Sequence, residues 1–365
     1  MEVRAAVARE ARQPLQLMTL QLDEPRANEV RVKMVAAGVC HTDASVRDQL
    51  LPTPLPVVLG HEGAGIVVEV GAAVRAVEVG DHVVLGSTSC GFCKWCLVGY
   101  PADCVNAGVY KWSAKRSDRT TAYADGAEAI GSHFFGQSSF STYANVDART
   151  VIKVPKSTPL RHAAALGCGM ATGAGTVFNV LRPEPGSSIA VFGTGAVGCA
   201  AMLAAVVAHC STIIMVDVVD SRLQRAMELG ATHVVNGSRE DSVAVIREIT
   251  GDGVQFAVDT TSSAQVFRQM LDSLATRGHA TRLGEAAPGD NAVIDHGKIM
   301  KRSQRITGVR QGDAVPQVIV PQLLELHSAG RFAFTELIEV FPFEQINDAF
   351  DASACGRTIK PIVVF

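Results

Sequence analysis

The sequence predicts an α/β chain: a β-rich, antiparallel and partly barrel-like domain, interrupted by an inserted doubly wound parallel sheet. Three observations carry this. Alternating Val- and Gly-rich runs fill the first third. Strand and helix patterns of about 10–15 residues alternate from residue 166 onward. From residue 306 the texture turns β-like again. At 365 residues the chain suits two domains rather than one. The expected boundaries are 1–165 with 306–365 for the β-rich domain, and 166–305 for the parallel-sheet domain.

The elements follow in order. EVRVKMVAAGV (29–39), GAGIVVEVG (63–71) and GDHVVLG (80–86) are short Val-rich runs between turn glycines, the pattern of antiparallel strands. A helical pattern spans 162–181. SIAVF then reads as an apolar strand, AAMLAAVVAHC as a helix, TIIMVD as a strand, SRLQRAMELG as a helix and HVVN as a short strand. VAVIREITG, VQFAVDTT and AQVFRQMLDSL continue the alternation, as in parallel strands joined by crossover helices. The ending IKPIVVF is strand-like and could rejoin the first region. No repeat, low-complexity tract or long linker is visible.

Hydrophobic residues make up 47% of the chain and charged residues 19%, enough to fill substantial cores. The net charge of -3 leaves no basic excess to neutralise phosphates, so neither nucleic acid nor an acidic membrane is an expected partner. The densest basic stretch, Lys111, Lys115, Arg116 and Arg119, is interrupted by Asp118 and Asp125 and reads as a solvated loop. MEVRAAVAREARQP lacks the apolar centre of a secretion signal, and no run approaches the length of a membrane span. The nine cysteines cluster with His and Gly rather than spreading as pairs, which points to metal binding in a reducing cytoplasm. Cys199, Cys210 and Cys355 stand apart and read as small buried hydrophobes.

Cys90, Cys93, Cys96 and Cys104 lie in CGFCKWCLVGYPADC. Thiolates are soft, strongly donating ligands, and zinc at structural sites takes a closed tetrahedron of four. Such a site has no open corner for chemistry. Gly193, Gly195 and Gly198 form G-x-G-x-x-G directly after an apolar strand and at the start of a helix. The first glycine permits the tight turn, the second lets backbone approach a pyrophosphate, and the third allows close helix–strand packing. The helix N-terminus then faces the negative phosphates. Asp217 ends the next strand, where a carboxylate can accept hydrogen bonds from ribose hydroxyls and repel the extra phosphate of NADP. NAD is therefore the expected cofactor. Arg222, in the following helix, is a further cofactor candidate, with a surface helix arginine as the simpler reading.

Three quieter signals stand apart in sequence. GVCHTD supplies Cys40, GHEGAG supplies His61 and LGCGMATG supplies Cys168, each in a Gly-flanked turn. Two thiolates and a neutral imidazole would fill three corners around Zn²⁺ and leave the fourth for water or substrate, as catalytic zinc requires. Glu62 could also approach such a metal, and Asp43 could orient the imidazole of His61. Spacing alone does not join Cys40 to Cys168.

GVCHTD, GHEGAG, the four-cysteine lobe, GCG and GTGAVG occur in the order seen in zinc-dependent medium-chain alcohol dehydrogenases, which the chain resembles over essentially its whole length. The resemblance implies a GroES-like catalytic domain with an inserted Rossmann domain. It implies a catalytic zinc on Cys40, His61 and Cys168 and a structural zinc on Cys90, Cys93, Cys96 and Cys104, with NAD as cofactor. HFFGQSSF (133–140) and the ending INDAF…IKPIVVF resemble the aryl-alcohol (benzyl-alcohol) dehydrogenase branch. The implied reaction is reversible oxidation of primary aromatic or allylic/terpenoid alcohols to aldehydes. In it, Lewis-acid zinc eases loss of the alcohol proton and hydride passes to the nicotinamide.

The same resemblance assigns roles residue by residue. Thr42 matches the hydroxyl that hydrogen-bonds the alcohol and starts a proton relay. Many relatives end that relay on a histidine three positions later; Ser45 stands there instead and cannot act as a base at neutral pH. Water, His41 or another group must complete the path. His41 and Lys360 match contacts to the cofactor pyrophosphate, and Thr172 and Val197 match residues beside the nicotinamide. Phe134 and Phe135 match pocket positions, where two adjacent rings suit a flat alcohol. Tyr110 and Trp112 could cap the entrance. Relatives pair through their Rossmann sheets, so a homodimer or homotetramer is implied. A dehydrogenase for S-(hydroxymethyl)glutathione is the competing activity, and the apolar Phe134–Phe135 pair does not suit its anionic adduct. A zinc-free quinone reductase is disfavoured because all three catalytic ligands are present. A catalytically silent binding protein of the same fold would be expected to have lost a ligand or the glycine motif.

Overall fold

The Val-rich runs of the first third form neighbouring strands, Glu29–Gly38, Gly63–Val70 and His82–Leu85. They lie in a seven-stranded sheet of order Val151–Val154, His82–Leu85, Gly63–Val70, Glu29–Gly38, Lys360–Val364, Ile338–Pro342, with Tyr143–Asp147 also paired to Glu29–Gly38. A five-stranded sheet runs Val57–Val58, Glu2–Ala8, Gln16–Leu22, Tyr123–Asp125, Glu128–Ile130. Every pairing is antiparallel except that of Ile338–Pro342 with Lys360–Val364. The C-terminal strand does rejoin the first region, with Ile362 opposite Gly38 and Val364 opposite Ala36. Val30, Val32, Val67, Val83, Leu85 and Val146 belong to one apolar cluster, and Phe134, Phe140, Phe343 and Phe350 to another.

This computed structural model describes residues 1–286 and 289–365. They divide into two units: Met1–Cys168 with Ala314–Leu324 and Ile338–Phe365, and Gly169–Asp313 with Glu325–Leu337. In the second unit six parallel strands follow the order His233–Asn236, Thr212–Asp217, Ser188–Phe192, Val254–Asp259, Leu274–Arg282, Arg305–Gly308. The strand order reverses beside Ser188–Phe192, the place where open parallel sheets leave a ligand crevice. Helix Ala196–Val207 is apolar and buried along most of its length. Ser242–Thr250 and Ala264–Asp272 are capped by Asp241 and Ser263, whose side chains accept first-turn amides.

Two expectations change. Strand Arg305–Gly308 pairs with Leu274–Arg282 and completes the parallel sheet, and Glu325–Leu337 also belongs with that unit, so 306–365 is shared rather than wholly β-rich. The helix expected over 162–181 is broken. Leu160–Ala163 is α-helical, Ala164–Gly167 narrows to a 3-10 turn, Cys168 leaves helical geometry at φ -143°, ψ -83°, and Gly169–Gly175 resumes. Close packing is the cause. A Cβ on Gly167 would lie 2.3 Å from the Leu85 carbonyl oxygen, so the chain passes the sheet where a side chain cannot. No single helix among the described residues is long and apolar enough to cross a membrane.

Candidate functional site

Cys40, His61, Glu62 and Cys168 converge in the first unit, with one ligand atom from each lying within 4.8 Å of the others. The link that spacing could not make is made by the fold. Cys40 ends the loop before helix His41–Arg47, His61 follows a turn at Gly60, and Cys168 sits at the helix break. Gly60 has φ +92°, and a Cβ there would meet the Phe140 amide nitrogen at 2.6 Å, so the turn needs glycine.

Asp43 organises this cluster. Its Oδ1 accepts from the Gly60 amide at 3.0 Å and from His61 Nδ1 at 3.0 Å, and its Oδ2 accepts from the Cys40 amide at 3.3 Å. A carboxylate only accepts, so Nδ1 carries a proton, and the neutral tautomer that a metal requires would present its lone pair at Nε2. That Nε2 is buried without a hydrogen-bond partner among the described residues. An orphaned imidazole lone pair beside two thiols is what a zinc ion would satisfy, and the donor set fits the metal. The Cys40 thiol is pulled well below its ordinary value by the Cys168 hydrogen bond, against burial and helped by His61 and Lys360. Donating to Cys40, together with burial, pushes the Cys168 thiol well up. One thiolate is thus favoured before any metal arrives.

Lys360, the implied pyrophosphate contact, lies beside Glu62. Its ammonium is buried, ion-paired with the buried Glu62, and donates to the Val39 carbonyl at 3.1 Å. Burial raises the Glu62 carboxyl to about 7 despite that neighbour. His41 is exposed at the start of its helix, Thr42 half-buried, and Ser45 buried one turn on. Phe134 and Phe135 are both buried, and their rings lie 5.7 and 4.8 Å from the His61 ring and 4.9 Å from each other. Trp112 joins them, 4.9 Å from Phe135. Tyr110 instead lies under the Arg149 guanidinium at 4.8 Å.

The four cysteines of the lobe also come together within 4.8 Å. Backbone amides of Cys90 and Cys93 donate to the sulfurs of Cys104 and Cys90, both at 3.3 Å, which suits thiolates. Helix Lys94–Leu97 buries none of its residues, and Phe92, Leu97, Val98 and Val105 are exposed.

In the second unit, the glycine motif forms the expected strand–turn–helix. Gly193 takes φ +96°, Gly195 caps helix Ala196–Val207, and a Cβ on Gly198 would lie 1.8 Å from the Gly193 carbonyl oxygen. A Cβ on Gly195 would meet nothing within 4 Å, leaving room for a phosphate. Asp217 is tied to this turn: its Oδ2 accepts from the amide and hydroxyl of Thr194, both at 2.6 Å. Thr172 and Val197 lie on two helices packed so closely that a Cβ on Gly173 would sit 2.0 Å from the Val197 carbonyl oxygen. Arg222 is half-buried in helix Asp220–Glu228.

The basic stretch read as a solvated loop is exposed at Lys115 and Arg119 but not throughout. Lys111 and Arg116 are buried. Arg116 spends all five of its N–H groups: on Glu29 at 2.6 and 3.0 Å, on Asp23 at 2.7 and 2.9 Å, and on the Thr121 carbonyl at 2.9 Å. His133 adds a bond from Nε2 to Glu29 at 2.9 Å and receives one at Nδ1 from Ser132. This buried network anchors the residue just before Phe134, and sequence reading missed it because its carboxylates lie far off in the chain. Cys355, expected to be buried, is exposed, while Cys199 is buried.

Known proteins match along the whole chain. The alcohol dehydrogenase GroES-like domain model covers residues 26–156, and the zinc-binding dehydrogenase model covers residues 196–328. A geraniol dehydrogenase of Castellaniella defragrans is 37% identical over 363 residues, spanning 99% of this chain and 97% of that protein. The benzyl alcohol dehydrogenase structure from Acinetobacter calcoaceticus superimposes with a TM-score of 0.97 at 41% identity, covering 100% of this chain and 99% of that one. An alcohol dehydrogenase zinc-binding domain protein from Burkholderia ambifaria gives a TM-score of 0.98 at 46% identity, with the same coverage. With both units matched in sequence and fold, the chain belongs to the zinc-dependent medium-chain alcohol dehydrogenases, in their aryl-alcohol branch.

Proposed function

We propose that this chain is an NAD-dependent zinc alcohol dehydrogenase that reversibly oxidises primary aromatic or allylic/terpenoid alcohols to aldehydes. The observation that carries the substrate class is the aromatic wall on the metal ligand. Phe134 and Phe135 pack on His61 with Trp112 behind them, so a flat apolar alcohol has rings to lie against. The benzyl alcohol and geraniol dehydrogenase relatives support the same class.

A zinc ion held by Cys40, His61 and Cys168 would supply Lewis-acid polarisation of the substrate oxygen, and a nicotinamide would supply the hydride acceptor. The protein's own part is positioning. Asp43 holds the His61 tautomer and ring angle. Thr42 offers its hydroxyl to the alcohol proton, and with Ser45 in the relay position that proton passes to water. Gly193, Gly195 and Gly198 would cradle the pyrophosphate at the helix N-terminus, with His41 and Lys360 as further contacts. Asp217, held by Thr194, takes the adenosine ribose and favours NAD over NADP. Thr172 and Val197 would flank the nicotinamide and Arg222 would serve the adenosine end. Cys90, Cys93, Cys96 and Cys104 would hold a second zinc. Nine unpaired cysteines suit a reducing cytoplasm, and assembly as a homodimer or homotetramer is part of this reading.

A glutathione-adduct dehydrogenase would need cations where Phe134 and Phe135 stand. The test is an NADH-formation screen over benzyl, cinnamyl, geranyl, short aliphatic and hydroxymethyl-glutathione substrates. Highest kcat/KM on benzyl, cinnamyl or geranyl alcohol is expected. Preference for the glutathione adduct, or no turnover by zinc-loaded protein, would overturn the proposal.

A further inference from the structure

We propose that Gln137 is a positioning residue of the catalytic metal centre, fixing the backbone that carries His61 and registering it against the segment that seats Cys168. The inference rests on the zinc dehydrogenase reading above. Gln137 is fully buried. Its Nε2 donates to the His61 carbonyl at 2.8 Å and to the Gly86 carbonyl at 3.0 Å, and its Oε1 accepts from the Gly63 amide at 3.0 Å. The carboxamide therefore grips the ligand loop at His61 and Gly63, on both sides of Glu62. No N–H of that amide is left over.

The third bond gives the grip its reach. Gly86 directly follows strand His82–Leu85, and the Leu85 carbonyl is the atom that Gly167 passes too closely for a Cβ. Cys168 is the next residue. One side chain thus ties the loop bearing the imidazole to the strand end against which the second thiol is placed. Asp43 sets the rotation of the His61 ring; Gln137 sets where its Cα sits. Its own chain segment presents Phe134 and Phe135 to the same ring, so metal and aromatic wall share one anchor. Room for adjustment is small: a Cβ on Gly63 would meet Leu85 and Ser139 side chains at 2.8 Å. Any drift of the loop must be resisted or must distort the ligand set.

The test uses zinc-loaded full-length protein and a chromogenic chelator, following zinc release over time. The phase missing in Cys40→Ser identifies the catalytic site. Gln137→Leu, of similar size but without the amide, should speed release from that site by about 10- to 100-fold, the range for lost ligand-orienting partners. Release from the four-cysteine site should not change. Gln137→Asn, which keeps both donors and the acceptor on a shorter arm, should fall between and covers the case in which Gln137→Leu does not fold. Cobalt-substituted Gln137→Asn should show a shifted visible spectrum. Wild-type release rates in a folded variant would overturn the proposal, as would equal acceleration at both sites with a lowered melting temperature, which marks a general packing role. A wild-type protein that holds no zinc on Cys40, His61 and Cys168 would overturn the functional reading instead.

Discussion

Arg116→Met removes five hydrogen-bond donors from a buried network and leaves a carboxylate behind. Glu29 is 3% exposed; it would lose the contacts at 2.6 and 3.0 Å and keep His133 and the Arg26 amide. Breaking a buried pair by removing one partner costs about 3–5 kcal/mol, because the remaining charge is desolvated and uncompensated. Replacing both charges is much milder, so Glu29→Gln/Arg116→Met should recover most of that loss. The pH dependence gives a second check. Burial pushes the Glu29 carboxyl up, but bonds from His133 and Arg116 outweigh it and hold the group well below its ordinary 4.5. A folded value below the unfolded one means stabilisation is complete above about pH 4.5 and fades as pH falls towards the folded value. The penalty of Arg116→Met should therefore be full at neutral pH and shrink in acid. Both tryptophans, Trp95 and Trp112, lie in the first unit, so denaturant unfolding followed by tryptophan fluorescence reads that unit directly. A neutral-pH loss below about 1 kcal/mol, or a double variant no more stable than Arg116→Met, would refute the network as a coupled unit.

Cys40→Ser should lower zinc content by one ion per chain and abolish benzyl alcohol oxidation while NADH still binds; unchanged turnover would sink the metal mechanism. Cys96→Ser should instead lower the melting temperature first, with metal analysis showing loss from the lobe and activity falling only as the fold fails. Asp217→Gly should shift the NAD to NADP ratio of kcat/KM by at least ~5-fold, since even in high dielectric a close like-charge contact costs ~1 kcal/mol. An unmoved ratio would remove the ribose role. Gly198→Ala forces a methyl against the Gly193 carbonyl and should cost about 1–3 kcal/mol in the second unit. Calorimetry reads this cost, and a wild-type melting temperature would contradict the packing reason for that glycine.

What the sequence disclosed depended on how local each feature is. The cysteine lobe and the glycine motif are short, their members act within one loop or one turn, and both could be read from spacing. The parallel sheet announced itself through alternating strand and helix patterns. The set Cys40, His61 and Cys168 was different: it meets through tertiary packing, with Cys168 at a helix break where Gly167 presses on Leu85, and no spacing encodes a tertiary contact. Resemblance supplied that join. Arg116 was misread because an Asp-punctuated basic run has the texture of a solvated surface, while its partner Glu29 lies 87 positions away. Resemblance carried Lys360 to the cofactor, and its pairing with Glu62 and Val39 is visible only once the C-terminal strand lies beside Glu29–Gly38.

The lobe built on Cys90, Cys93, Cys96 and Cys104 has four sulfurs at its centre and several apolar side chains on its outside. A region held by an ion answers to metal supply rather than to temperature alone. Loss of the zinc proposed for the lobe would open this excursion while both sheets stay folded, offering proteases an entry point such as Lys94.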